Sequence, residues 1–308
     1  MTRAAPARAE PLARRGRVAA RAAASALAFV ACSGPASADA VEPLPPLAPR
    51  ETAVVRGPRA GSVGLFAPLR VTAAEGLEVT SDVAATAVLT PSLGLRARLG
   101  DARLEGGARL AGAFDLGLST PTPTLMLARG FLTPSFETSG RSVPFVLVPS
   151  LGVVASVLGP GDAPAALTLR LDTALGLPFS DDPLGALDTV APISLALAPA
   201  TQGFRSRASL TWDQPLARFL RLRTSVGGAL VGRDGPLSPL FFHTEAGLEL
   251  RVTRLFRVAA GAVYHLYDQG RTAVVPRGDG TSRRVRVASH DVFPTLDLVW
   301  TWSEGRRR

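Results

Sequence analysis

Lysine is absent from the 308 residues, and all 34 basic positions are arginine. Arginine fills even positions with no need of its planar fork, so the absence reads as codon bias rather than function. Cysteine occurs once, at Cys32. That excludes an intrachain disulfide framework. No run of about 18 apolar residues is available for a transmembrane helix. Aromatic residues make up only 6%, so any interfacial girdle is thin. Yet 46% of the chain is apolar. A hydrophobic chain without a membrane helix needs another place for its apolar surface.

The formal charge of +9 does not point to nucleic acid. Six arginines and two acids lie in the first 40 residues, which leaves 28 arginines against 23 acids, or +5, for the rest. No aromatic-basic interleaving accompanies that surplus, so no nucleic-acid partner is expected.

Residues 1–40 read as a signal peptide. Arg3, Arg8, Arg14, Arg15, Arg17 and Arg21 form a basic region, and "AAASALAFVAC" (22–32) forms an apolar one. Ala38-Asp39-Ala40 is a signal-peptidase site before Val41. "FVAC" weakly matches a lipobox, which makes Cys32 a candidate for lipidation. Residues 41–60, "VEPLPPLAPRETAVVRGPRA", are Pro-rich and aperiodic, and read as an extended periplasmic linker. Residues 303–308 form a basic C-terminal tail.

Between residues 61 and 302 the hydrophobic period is two. Leu77, Val79, Val83, Ala85 and Ala87 alternate with Glu78, Thr80, Asp82 and Thr86. Leu93, Leu95, Ala97 and Leu99 alternate with Arg96 and Arg98, and Gly100-Asp101 is a tight-turn signal. The same alternation returns around Arg170, Arg207, Arg221, Glu249, Arg257 and Asp297. The segments run about 10–14 residues, longer than soluble strands and suited to tilted membrane strands. "DQPLA" (213–217) and "TR" (253–254) read as short turns; "GRDGPLSP" (232–239) and the stretch 268–290 read as long loops. Short turns at one rim and long loops at the other suit an antiparallel transmembrane β-barrel. Thirteen segments can be drawn; an even count is required, so about twelve strands are expected, with fourteen as the alternative.

Here the chain resembles the bacterial outer-membrane β-barrel proteins as a broad class, over residues 61–302. It includes a final strand, "FPTLDLVWTW", ending in aromatics. The resemblance implies outer-membrane lipid around the barrel and recognition by the barrel-assembly machinery. "SEGRRR" after Trp302 departs from the pattern, since such chains more often end on the aromatic itself.

Three features pull the other way. Residues 143–158, "VPFVLVPSLGVVASVL", are apolar on both faces. Pro68, Pro144, Pro149, Pro192 and Pro294 fall in proposed strands. Period-two alternation also suits a soluble periplasmic or lipid-tethered β-sandwich that binds a partner.

In the barrel, the polar faces turn inward. The expected lumen-lining residues are Arg96, Arg98, Arg103, Glu105, Arg109, Asp115, Arg170, Asp172, Arg205, Arg207, Arg221, Arg223, Glu245, Glu249, Arg251 and Arg257. Glu78, Asp82 and Asp297 join them. The arginine excess suggests a small, mildly anion-favouring pore; ion pairs filling a structural barrel are the alternative. A three-residue turn at 253–255 would set His243 opposite His265 and Arg251 opposite Arg257. Two imidazoles without a firm third ligand make no metal site. No G-x-S-x-G signature or converged Ser-His-acid set is present, so no catalytic residue and no cofactor is expected. Arg277-Gly278-Asp279 is a chance-level tripeptide, while Arg283, Arg284 and Arg286 form a loop cluster able to meet lipopolysaccharide.

Overall fold

The computed structural model describes residues 47–57, 59–131, 143–179, 191–232, 240–276 and 282–302. The segments read as a signal peptide (with Cys32, Ala38 and Ala40) and as a basic tail lie outside them.

Among these residues thirteen strands form: β1 Gly61–Gly64, β2 Leu69–Ala74, β3 Leu77–Ser81, β4 Ser92–Arg103, β5 Arg109–Ser119, β6 Val146–Leu158, β7 Ala166–Leu175, β8 Leu177–Pro178, β9 Phe204–Ala217, β10 Leu220–Val231, β11 Leu240–Arg251, β12 Phe256–Pro276 and β13 Ser282–Trp302. Among the described residues three α-helices accompany them: α1 Val83–Ala87, α2 Thr122–Phe131 and α3 Ala191–Gln202. All strands except β8 pair antiparallel with a neighbour on each side, and β1 meets β13, so twelve strands close a barrel. β8 is a two-residue ladder against the start of β6.

The alternation sorts the faces as its period requires. Leu95, Leu116, Leu151, Leu169, Leu210, Leu248 and Leu296 point outward and are 40–52% exposed. Their neighbours in sequence point into the lumen. A closed cylinder leaves no unpaired edge, so lipid can meet the aliphatic exterior without meeting free backbone groups.

Several local expectations change. Val83–Ala87 is a helix, not a strand, because Asp82 caps it: the carboxylate accepts from the Ala85 N–H at 2.9 Å. Asp82 therefore leaves the inward face of β3 and meets the lumen only at the edge of the chamber, as a helix cap. Gly100-Asp101 is paired inside β4, just after a bulge at Leu99, and the turn follows at 104–108. The bulge reverses the phase and brings Asp101 inward beside Arg109. "DQPLA" is the end of β9, with the turn at 218–219. Pro192 lies in α3 rather than in a strand. Much of 268–290 continues the β12–β13 ladder instead of forming a loop.

β6 is apolar on both faces because the lumen beside it is filled. Its inward Val146 and Val148 pack against Leu125 of α2 and Leu197 and Ala200 of α3. Lower down, Val154 and Leu158 pack against Ala53 and Val54 of the segment before β1. α3 also buries Leu195 and Ala198 against Val231, Phe241 and Tyr267, at the long-loop mouth.

Candidate functional site: a strapped lumen

The Pro-rich segment before β1 is not a free linker over its described residues. Residues 47–57, 59 and 60 form a strap through the lumen. It starts at the short-turn rim, where the Leu47 N–H donates to the Arg218 carbonyl at 3.0 Å. It reaches β6, where the Ala53 N–H donates to Ser156 Oγ at 2.8 Å. It returns at the same rim, where Thr72 donates to the Ala60 carbonyl at 3.0 Å and Gly61 begins β1. β6 lies six strands round from β13, so the strap spans the bore.

A chain inside a barrel has no ladder, and its carbonyls need other donors. The inward arginines supply them. Arg221 donates to the Leu47 carbonyl at 2.8 Å, Arg257 to Ala48 at 3.3 Å and Arg96 to Thr52 at 3.1 Å. Side chains complete the attachment. Arg50 pairs with Glu249 at 2.8 Å and Asp297 at 2.9 Å, and Glu51 pairs with Arg223. Glu78 accepts the Arg56 N–H at 2.9 Å. Glu51 turns the strap with φ of 56°, a left-handed conformation that costs a non-glycine residue about 1–2 kcal/mol. Arg223 holds the Glu51 carboxyl well below the usual range; burial opposes this, and Arg50, Arg70 and Arg170 reinforce it.

The strap divides the remaining space. On the β10–β13 side a cavity of about 490 Å³ is lined by two arginines, Arg50 and Arg223, and four acids, Glu51, Glu245, Glu249 and Asp297. On the β2–β9 side a chamber of about 260 Å³ is lined by Arg70, Arg96, Arg170, Arg205 and Arg207, against Asp82, Asp115 and Asp172. A gap of about 120 Å³ joins Arg223, Glu245 and His243 near the middle.

The expected lumen residues fall into three groups. Arg96, Asp115, Arg170, Asp172, Arg205 and Arg207 converge on the chamber. Asp115 takes two bonds from Arg96, both 2.6 Å, and one from Arg170 at 2.5 Å. Asp172 accepts from Arg207 at 2.8 Å and faces Arg205 at 3.5 Å. Arg221, Arg223, Glu249 and Arg257 hold the strap, with Glu245 lining the cavities beside it. The remaining residues sit at the short-turn rim: Arg109 with Asp101, Arg98 at 4.0 Å from Glu75, Arg251 opposite Arg257, and Arg103 exposed. Glu105 belongs to the 104–108 turn rather than to an inward face.

His243 does face His265, with ring centroids 6.1 Å apart. Among the described residues no three metal-binding side chains converge.

Sequence reasoning missed Arg50, Glu51, Arg56, Arg70, Asp101 and Asp213. The first three sit in proline-rich chain that shows no period, and β2 is too short to display one. Asp101 and Asp213 stand in turn-like sequence. Their one signal is the inward arginine surplus, which called for further acids.

A closed antiparallel cylinder with an aliphatic exterior and a charged, filled interior defines the architecture of the bacterial outer-membrane β-barrel class. No family model matches the chain, and no curated protein matches it. Among solved structures it is similar to OmpT (in-vitro folded), an outer membrane protein of Vibrio cholerae, at 13% identity and a TM-score of 0.38. The alignment covers 78% of this chain and spans 64% of the length of that one.

Proposed function

We propose that the protein sits in a bacterial outer membrane with its long-loop rim outward, and that its lumen is a narrow, anion-favouring passage held closed by the strap. The observation that supports this is the chemistry of the attachment. The strap is held mainly by ion pairs and by arginine-to-carbonyl bonds, with a small apolar contact at β6. Such contacts can exchange for water when the strap leaves, whereas a large apolar plug could not. The basic chamber gives the passage its sign of charge.

Conductance in planar bilayers tests this. The full chain should conduct little, and deletion of residues 47–57 should open a steady current that prefers anions to cations. If neither form conducts, the barrel is structural and the strap is filling. Export by residues 1–40, handling of the final strand by the barrel-assembly machinery, and lipopolysaccharide at the Arg283–Arg284–Arg286 hairpin belong to the same proposal.

A further inference from the structure

Four of the five arginines around the β2–β9 chamber share two aspartates. Asp115 serves Arg96 and Arg170, and Asp172 serves Arg205 and Arg207. The fifth, Arg70, is 5% exposed, lines the chamber and has no hydrogen bond or ion pair among the described residues. Glu51 and Glu78 act on it from a distance without bonding it: Glu51 is engaged by Arg223, and Glu78 takes the Arg56 N–H through Oε1 while its Oε2 has no partner. Arg96 and Arg170 repel it. Arg205 Nε is also buried without an acceptor.

A buried guanidinium with no partner is costly unless something accepts its protons. Here the neighbours are mostly further donors. Arginines reach the space from β2, β4, β7 and β9, and the hydroxyls of Thr80, Ser92 and Ser150 line it as well. Donors arriving from several directions match a tetrahedral oxyanion better than a planar carboxylate, which one guanidinium fork can satisfy. A monatomic anion would use none of that directionality. The chamber's rim includes Ser81, Ser92 and Ser119, the long-loop ends of β3, β4 and β5, so a solute would enter from that mouth.

We propose that the chamber is a binding site for a phosphate group, as free phosphate or a small phosphate monoester, with Arg70 as its central donor. The solute's sign of charge rests on the anion-favouring reading above; binding itself does not require conduction.

The test is titration of the folded, full-length chain in zwitterionic detergent with inorganic phosphate and, separately, glycerol 3-phosphate, followed by calorimetry. At least one probe should bind saturably, and the tighter one identifies free phosphate or monoester as the ligand. Arg70→Leu should weaken binding roughly tenfold or more, the loss expected for a charged hydrogen-bond donor. Arg98→Leu, at the rim outside the chamber, should leave it unchanged. Heat-modifiable electrophoresis checks that each variant is folded; if Arg70→Leu is not, Arg70→Lys and Arg207→Gln take its place and should each weaken binding. Equal binding by wild type and folded Arg70 variants overturns the site. So does absence of saturable binding of both probes to wild type, or displacement by chloride at equal ionic strength. Conductance of the strap-deleted chain is read independently: phosphate binding without current removes the passage and keeps the site, and current without binding does the reverse.

Discussion

Arg221 shows how much one side chain carries in this lumen. It is fully buried and donates to the Asp213 carboxylate, to the Leu47 carbonyl at 2.8 Å and to the Pro164 carbonyl at 2.6 Å. It thereby ties the strap to β9 and to the β6–β7 turn. Arg221→Leu leaves the Asp213 carboxyl buried without its partner, and should lower unfolding stability by about 3–5 kcal/mol, read from urea titrations in micelles. Arg221→Leu with Asp213→Leu should recover part of that loss, because no lone charge remains. The inward direction of Arg221 was legible from its period. That of Asp213 was not: Asp-Gln-Pro has turn composition, and the pairing of Arg221, Leu222 and Arg223 with Pro215, Gln214 and Asp213 carries β9 through it.

The elements inside the barrel follow different rules from those in its wall. The strands were legible because lipid on one side and polar groups on the other enforce a period of two. α3 was not. Its small apolar residues fit helix and strand patterns alike, and the choice is made by the mouth it fills. Gly176 permits that fit: a Cβ there would lie 1.8 Å from the Pro199 carbonyl oxygen. Gly176→Ala should displace α3 and speed amide hydrogen exchange across residues 191–202. The strap was illegible because proline-rich chain carries no period, yet β6 hinted at it by being apolar on its inner face. The strap also has a pH signature. A carboxyl depressed in the folded state stabilises docking above its unfolded pKa, and that contribution is lost as pH falls through the folded value. With Glu51 held well below the ordinary glutamate range, docking should persist through mildly acidic pH and fail only under stronger acid. The mobility of a spin label at Ala48, followed against pH, checks this; release already at the ordinary glutamate pKa would contradict it.

The barrel is a cylinder, and the three tryptophans of the chain, Trp212, Trp300 and Trp302, are 47%, 47% and 37% exposed on its outer wall. All lie towards the short-turn end of their strands. Brominated lipids should therefore quench most of the intrinsic fluorescence of the reconstituted protein; a soluble sandwich would show no such quenching. The barrel closes beside the point where the strap enters it. β1 has four residues and meets β13 from Gly61–Trp302 to Gly64–Val299, and the strap is the chain immediately before it. The first strand synthesised must wait for the last before the wall is complete. The strap therefore need not thread a finished tube: the wall can be wrapped around it, and the seam that joins the two ends of the sheet is also the step that encloses the cargo.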